Sequence, residues 1–168
     1  MKNIATRLKS DWDAAAFFFD LAAKNKLARE AGFVTHRVSG LQGFEDALQS
    51  LQRAPALLCV SDNDDGWCEL DNTPRTRRVK TVFLAMRHAV DDMQRRDECI
   101  ATMHELFRQL MSVLTLERVK LEQNCVFVDS KIAFKVIDRY FFSGCACAYF
   151  TVSTDIYTDL TYDAAEWI

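Results

Sequence analysis

The feature of this sequence that most constrains its fold is a long amphipathic segment, Arg95–Val119. Apolar side chains recur in it at spacings of three, four, three and four, which places them on one side of an α-helix. They are Ile100, Met103, Phe107, Leu110 and Leu114. Asp97 and Glu98 in the predicted first turn and Arg118 in the last turn complement the helix dipole. We therefore expect one long helix that packs a single apolar stripe against another layer.

Strand-like segments on both sides of this helix predict that layer. Val79–Val90 is the most informative, because both of its alternating faces are apolar in the middle. Two apolar faces are typical of a central strand that is covered on both sides. The other predicted strands are Ala54–Val60, Asn124–Arg139 with a kink expected near Asp129, and Tyr140–Thr158 with a bulge or break at Gly144.

A first helix is predicted over Asp11–Ala31, where apolar residues follow a 3.6-residue repeat. Ser10 or Asp11 can cap its start, and Gly32 is suited to end it. Three consecutive aromatic residues cover more than half of the circumference of this helix. They are Phe17, Phe18 and Phe19. Because one core contact needs less width than this, we expect part of this surface to face a partner.

The segment Ser61–Arg78 is polar, contains Gly66 and Pro74, and has no stable period. It predicts a long mobile loop with room for a hairpin inside it. Long ordered loops are uncommon in compact domains and often carry function.

The order of elements predicts an α+β fold. Leu41–Gln52 is predicted to form a second, shorter helix. The 168 residues contain no internal repeat and no linker. We therefore expect a single domain over residues 1–168. In it, a small mixed or antiparallel sheet is packed by the N-terminal helix and the long central helix.

Charge and hydropathy narrow the setting in which the chain works. The formal net charge is −3, too small to indicate nucleic acid or an acidic membrane as the main partner. The start, MKNIATRLKS, lacks the apolar run of a signal peptide, and no eighteen apolar residues follow one another. We therefore expect a soluble intracellular protein whose six cysteines are reduced. Four of these lie in apolar strand-like runs: Cys59, Cys125, Cys145 and Cys147.

Candidate catalytic side chains are few and scattered. The three histidines fall in a predicted loop, strand and helix, and no pair has metal-site spacing. They are His36, His88 and His104. Cys145 and Cys147 would share one strand face, but zinc sites use C-x₂₋₄-C pairs and redox thiols use C-x-x-C. We interpret both cysteines as core residues and predict no cofactor, with a Cys–His nucleophile as the alternative.

Two acidic motifs could bind a metal ion or could simply be exposed to solvent. DNDDG at residues 62–66 resembles a calcium loop, but its register places Asn72 where a bidentate glutamate is required. We interpret it as a solvated acidic turn. Asp129–Lys131 forms a D-x-K motif, which is half of a metal-dependent nuclease site. The further acid that such a site needs could come from Asp91 or Asp92.

One basic cluster stands out in the sequence: Arg75, Arg77, Arg78 and Lys80. One interpretation is a phosphate-binding cluster, whose affinity would depend strongly on salt concentration. The other is a solvent-exposed loop that precedes a strand. The chain contains no P-loop, no G-x-G-x-x-G and no G-x-S-x-G motif, and its five glycines favour no phosphate cradle.

The order of these segments resembles the tail terminator, or tail completion, proteins of long-tailed bacteriophages and prophages. The resemblance spans roughly residues 11–158 and is one of pattern and size. It is carried by FFFDLAAKNKL, RRVKTVFLAMR, ECIATMHELFRQLMSVL, CVFVDSKIAFKVI and CACAYFTVSTDIY. Two segments depart from the pattern of that family. The helix Leu41–Gln52 is not one of its required features, and the C-terminal DAAEWI has no assigned role in it.

The resemblance implies a non-catalytic subunit that forms a ring, typically a hexamer, on the end of the tail tube and joins it to the head. Its partners would be further copies of itself, tail-tube proteins and head-connector proteins, in the bacterial cytoplasm and the virion, with no membrane. A ring uses two different patches per subunit. The interface candidates are Phe17, Phe18, Phe19, Trp67 and Phe83, and the candidates for transient contact with passing DNA in the lumen are Arg75, Arg77, Arg78 and Lys80.

Two other classes remain open from the sequence. One is a cellular binding or adaptor module, which would be a monomer or dimer. The other is a small nuclease or thiol enzyme, which would depend on a metal or on a thiol.

Overall fold

A computed structural model describes residues 12–49, 54–62, 65–71, 73–137 and 144–167. Within these ranges it contains four α-helices, seven β-strands and a short 3₁₀ turn, Ala164–Glu166. The helices are α1 (Ala14–Lys24), α2 (Lys26–Glu30), α3 (Gly40–Gln49) and α4 (Met93–Gln123). The strands are β1 (Phe33–Val38), β2 (Ala56–Ser61), β3 (Asp65–Glu69), β4 (Arg75–Arg87), β5 (Val126–Val128), β6 (Phe134–Val136) and β7 (Cys145–Tyr157).

The seven strands form one mixed sheet, which confirms the predicted α+β class. Its order is β1-β2-β4-β7-β5, with β3 also beside β4 and β6 also beside β7. β1 and β2 run parallel and are connected through α3, whereas the other pairs are antiparallel. Parallel neighbours need such a crossover, because a tight turn can join only antiparallel strands.

Two long strands, β4 and β7, form the spine of the sheet. Each has 13 residues, and they pair along their whole lengths, from Arg75 opposite Tyr157 to Arg87 opposite Cys145. The second half of β4 also pairs with β2, whereas its first half pairs with β3. We call the part beyond β2 the arm: β3, residues 75–81 and residues 151–157.

Helices cover both faces of the sheet, which confirms that Val79–Val90 contains a central strand. Val82, Leu84 and Met86 lie in a buried cluster with residues of α1 and α4. Phe83 and Ala85, on the opposite face, lie in a second cluster that includes Phe44 and Leu48 of α3. The helix predicted over residues 41–52 is thus observed as α3, and residues 50–53 lie outside the described ranges.

The prediction of one continuous first helix was wrong, because the helix is divided into α1 and α2 at Asn25. The backbone of Asn25 is extended (φ −75°, ψ 128°), and its side chain accepts a hydrogen bond from the Ala28 N–H at 2.8 Å, so it caps α2. The N-cap of α1 is Asp13, which accepts from the Ala16 N–H at 3.0 Å. The predicted caps Ser10 and Asp11 lie outside the described residues.

The structure contains strand residues where a loop was predicted. β1 was missed altogether, and with it the position of His36, which lies in this strand. Most of the predicted loop over residues 61–78 is a hairpin, since Asp65–Glu69 pairs with Arg75–Val79. Polar residues lie on both faces of the hairpin, so its two strands lack the apolar–polar alternation that would have marked them.

The long helix is confirmed, and it extends further than predicted at both ends. Asp92 is its N-cap and accepts from the Arg95 N–H at 2.8 Å, so Asp97 and Glu98 lie beyond the first turn. Lys120, rather than Arg118, is the basic residue of the last turn. Its buried side chains are Cys99, Met103, Leu106, Leu110, Leu114 and Leu121.

The predicted strand Asn124–Arg139 is two short strands, β5 and β6, which both pair with β7. The kink expected near Asp129 is therefore a break over residues 129–133. β7 starts at Cys145, directly after Gly144, whose φ is +77°. The earlier part of the predicted last strand, residues 140–143, lies outside the described ranges. No helix in the described part of the chain is long and apolar enough to cross a membrane.

Candidate assembly surfaces

The three consecutive phenylalanines of α1 have different surroundings. Phe18 is fully buried, and its ring meets that of Phe150 edge-on with centroids 5.5 Å apart. Phe18 is therefore a core residue, and its assignment to an interface was wrong. Phe17 and Phe19 are half-buried and pack against the edge of the same cluster. Successive helix positions differ by about 100°, so one ring of three points inward and the other two flank it.

Phe83 was also wrongly predicted at an interface. It is 6% exposed, and its ring stacks on that of Phe44 with centroids 4.5 Å apart and planes 15° apart. α3 covers this face of the sheet, so the second apolar face of β4 is occupied within the chain. Trp67 differs, because it is 48% exposed on the arm. The guanidinium of Arg77 lies 5.3 Å from the centroid of its ring.

The basic cluster is divided between the two faces of the arm. Successive side chains of a strand point to opposite faces, so Arg75 and Arg77 share one face and Arg78 and Lys80 share the other. Arg75 lies over the ring of Tyr157, 5.0 Å from its centroid, and donates to the tyrosine hydroxyl at 3.3 Å. A single basic patch, as the sequence indicated, is therefore not formed.

Arg77 is held by carboxylates in the middle of the arm. Its Nε and Nη2 donate to the two oxygens of Asp155, both at 2.7 Å, and Nη2 also donates to Asp129 at 3.1 Å. The hydrogen bonds to Asp155 raise the pKa of Arg77 above its ordinary value and lower that of Asp155. The charge of Arg77 is thus matched inside the chain, and its geometry serves to join β4 to β7 and to the end of β5.

Arg78 and Lys80 line a cavity of about 210 Å³ between the arm and the start of α1. Arg37 of β1 adds a third cation, and Trp12, Val152 and Ile156 provide apolar walls. The buried Thr154 and the carboxylate of Asp13 also line it. We call it the α1–arm cavity. Three cations against one carboxylate in the lining suit an anionic ligand that also carries an apolar group.

The cations of this cavity have hydrogen-bond partners at its rim. Arg37 Nη2 donates to Asp13 at 2.8 Å, and its Nη1 lies 3.5 Å from a carboxylate oxygen of Asp62. Partial burial opposes ionisation of Asp13, but hydrogen bonds from Ala16 and Arg37 together hold the pKa of Asp13 below its ordinary value. Lys80 Nζ donates to the backbone oxygen of Asp62 at 2.9 Å. These contacts hold two of the cations in place at the cavity.

A ridge of exposed apolar side chains runs along the second half of α4. Val113 is 38% exposed, Leu116 68% and Val119 58%. Their spacing of three residues keeps them on neighbouring turns of the helix. α4 packs on the sheet face opposite to the one that carries Trp67, because Trp67 and Arg77 are paired on the face of Phe83. We call these three residues the α4 ridge.

Four of the six cysteines have the environment of core residues rather than of nucleophiles. Burial raises the pKa of Cys59 to about 12 and also raises the pKa values of Cys99, Cys145 and Cys147. A thiol nucleophile requires the opposite shift. The prediction that Cys125 lies in an apolar strand was wrong, because this residue is exposed in a turn after α4 with a φ of +59°.

The histidines are separated along the fold. His36 lies in β1, His88 follows β4, and His104 is in α4, where its ring lies 4.1 Å from that of Phe134. His88 was predicted within a strand and lies just after one. Within the ranges described by the structure, no three His, Cys, Asp or Glu side chains are grouped so that they could hold a metal ion.

The two acidic motifs have structural surroundings. Asn63 and Asp64 of DNDDG lie outside the described residues, and Gly66 belongs to β3, where a Cβ would fall 1.8 Å from the Arg77 carbonyl oxygen. Asp129 follows β5, pairs with Arg77 and donates its N–H to the Ser153 oxygen at 3.0 Å. The D-x-K motif is therefore outside a strand, contrary to the prediction. Asp92 is occupied as the cap of α4.

Comparison with known proteins returns no assignment: the chain matches no protein-family model, and no curated protein is significantly similar to it. Support for the candidate surfaces therefore comes from the structure of this chain. Sequence reasoning missed the contributions of Arg37, Trp12 and Asp155 to these surfaces. Arg37 and Asp13 are 24 positions apart and Arg77 and Asp155 are 78 apart, so no local pattern could have connected them.

Proposed function

We propose that this protein is a structural, non-catalytic subunit that assembles with copies of itself into a ring of the tail-terminator kind. In this proposal the ring caps the end of a phage tail tube, stops its growth and provides the surface that joins the tail to the head. Its partners are tail-tube and head-connector proteins, first in the bacterial cytoplasm and then in the virion. It needs no cofactor.

The observation that carries this proposal is the presence of exposed apolar groups on opposite layers of the subunit. Trp67 lies on the arm, on one face of the sheet, and the α4 ridge lies on the helix that covers the other face. A cyclic assembly joins one patch of each subunit to a different patch of the next, so it needs two such surfaces that do not face each other. A two-fold dimer would need only one.

The arm supports the proposal through its shape. It carries the spine strands beyond β2, and all five residues of β3 are exposed. A hairpin of this kind can reach a neighbouring subunit or the tube, which is the part that the resemblance assigned to residues 61–78. Arg78 and Lys80 remain the candidates for transient contact with DNA, because they lie on the opposite face of the arm from Arg77, which two carboxylates hold.

The test is the mass of the wild-type protein by multi-angle light scattering over a concentration series, with and without a chelator. We expect a defined assembly near six times the 19.3-kDa chain mass, unchanged by the chelator, and a ring in electron micrographs. Trp67→Ala and Leu116→Ala should each shift the assembly toward monomer. Val90→Ala is the matched control, because Val90 is 61% exposed and lies in neither patch.

A wild-type protein that stays monomeric or dimeric at every concentration, alone and with its tube protein, would contradict the ring and favour an adaptor module. A mass or thermal stability that depends on the chelator would favour a metal-dependent protein. If the ring forms, adding it to polymerising tube protein should shorten the tubes and leave it bound at one end.

A further inference from the structure

The residues after β7 form an exposed acidic and aromatic segment. Thr158 is still held beside the arm, because its N–H donates to the Pro74 oxygen at 3.0 Å and its hydroxyl lies 2.6 Å from that of Thr76. Beyond it, Leu160 is 44%, Tyr162 72% and Trp167 69% exposed. We call residues 159–167 the C-terminal segment.

This segment has local order of its own. Asp159 accepts from the Thr161 N–H at 3.0 Å, and Asp163 caps the 3₁₀ turn by accepting from the Ala165 N–H at 3.0 Å. The turn brings the rings of Tyr162 and Trp167 to a centroid distance of 6.4 Å with planes 22° apart. The segment thus presents two aromatic rings beside carboxylates, on a short piece of chain with a defined shape.

The α1–arm cavity has the complementary chemistry. Its cations, Arg37, Arg78 and Lys80, match the carboxylates of the segment, and its apolar walls, Trp12 and Ile156, match the aromatic rings. Both features belong to the same chain, and in this structure the rings of the segment are exposed rather than seated in the cavity. Two complementary and separate surfaces on one subunit are what a heterologous interface requires.

We propose that the C-terminal segment of one copy docks in the α1–arm cavity of the next copy in the assembly. This inference rests on the proposed self-assembly and names one of its contacts. The nine residues of the segment, 159–167, would span up to about 30 Å if extended from Thr158, which is long enough to reach a neighbouring copy.

The surface area that the docked segment could bury is smaller than that of a complete interface. A buried tyrosine or tryptophan removes roughly 150–250 Å² from water, so two rings give roughly 300–500 Å². A stable interface buries about 800 Å² on each partner. The docked segment therefore supplies part of the contact, and Trp67 of the arm and the α4 ridge contribute further contact. Its charged component should weaken as salt is raised.

The test uses two complementary defects in the full-length protein. Tyr162→Ala/Trp167→Ala removes the rings of the segment, and Arg78→Glu reverses one charge in the cavity. Lys26→Glu is the matched control, because Lys26 lies in a different cation-lined surface pocket on α2. Circular dichroism and thermal melting, measured at a concentration where the wild type is also monomeric, should match between each variant and the wild type, which shows that the variants fold.

We expect each defective variant to need a concentration about tenfold higher than the wild type for assembly, while Lys26→Glu assembles normally. The decisive sample is a mixture of the two defective variants at a concentration where each is monomeric alone. Each copy then retains one functional half, so the mixture should form heterodimers of twice the chain mass and nothing larger.

Several results would overturn the docking while leaving the ring intact. One is a defective variant that assembles like the wild type. Another is a mixture of the two defective variants that stays monomeric, which would show that the segment of one copy does not bind the cavity of another. A third is Arg78→Glu that loses affinity for a short DNA duplex but assembles normally, which would make the cavity a phosphate site. A wild-type protein that never assembles would instead remove the proposed ring, and the docking with it.

Discussion

Arg77 and Asp155 form a two-pronged ion pair across the arm, with Nε and Nη2 of the arginine each 2.7 Å from a carboxylate oxygen. The two residues are directly opposite each other in the register of β4 and β7. The Asp155 side chain is only 16% exposed, so the pair lies partly out of water, where hydrogen bonds between charged groups are strong. It joins β4 to β7, the two strands of the spine, within the arm.

Replacing Asp155 by asparagine should destabilise the protein by about 1–3 kcal/mol at neutral pH, because it removes charged hydrogen bonds to a guanidinium that stays in place. The measurement is the free energy of unfolding from urea denaturation. Asp129→Asn is the control and should cost less, because Asp129 is 40% exposed and makes one longer contact. Equal losses in the two variants would contradict the central position of Asp155.

The same pair predicts a pH dependence. Hydrogen bonds from Arg77 hold the pKa of Asp155 below its ordinary value of 3.8, so the ionised form is favoured by folding. The resulting stability is present above that value and is lost as the pH falls through the lowered pKa of the folded state. Between about pH 5 and pH 2, the wild type should therefore lose more free energy of unfolding than Asp155→Asn. Parallel losses in both proteins would disprove this contribution.

Gly66→Ala should displace β3 from β4. A Cβ at this position would lie 1.8 Å from the Arg77 carbonyl oxygen, and backbone atoms on a paired strand cannot yield that much without breaking the pair. We expect a loss of about 1–3 kcal/mol and faster amide hydrogen exchange in residues 65–69 and 75–79. Gly43→Ala, whose new Cβ would be 3.3 Å from the nearest atom, is the control and should leave exchange in the arm unchanged.

The phenylalanines of α1 should differ sharply when truncated. Phe18→Ala removes a fully buried ring and should cost about 3–5 kcal/mol of unfolding free energy. Phe17→Ala and Phe19→Ala should cost less, because both side chains are half-buried. Urea denaturation of the three variants provides the measurement. Similar losses at all three positions would show that the helix is rotated from the orientation described above.

Alkylation of the thiols should separate the cysteines by exposure. At about pH 8, iodoacetamide should modify Cys68 and Cys125, which are exposed, and spare Cys59 and Cys147 until denaturant is added. Burial both blocks access to the second pair and raises their pKa values. Peptide mass spectrometry after short reaction times reports each site. Modification of Cys147 as fast as that of Cys68 would contradict its buried position.

Much of the architecture could be predicted because it depends on local periodicity. The stripe of α4 and the two apolar faces of β4 are repeated patterns of many residues, so single exceptions did not obscure them. The break at Asn25 was missed because the apolar repeat continues on both sides of it, while one side-chain cap redirects the backbone. β1 was missed because it lies at one end of the strand order and buries only Val38, so no apolar pattern marks it, and its pairing with β2 exists only in the folded chain.

The interface candidates, too, were predicted from the sequence only in part. Trp67 was identified from the sequence as an interface candidate and is exposed, whereas Phe18 and Phe83 were identified by the same reasoning and are buried. Hydrophobicity alone does not distinguish a residue that faces the core from one that faces a partner. The distinction depends on which helix covers which face, and α3 makes it for Phe83.

The sequence by itself determined the α+β class, the long helix and the central strand, since each follows from the spacing of side chains along a stretch of chain. Only the tertiary structure decided how the basic residues 75–80 are distributed, that Arg77 is matched by Asp155, and that Arg37 joins Arg78 and Lys80 in one cavity. The reason is physical: these contacts join residues far apart in the chain, and their register depends on the pairing of whole strands, which local spacing does not encode.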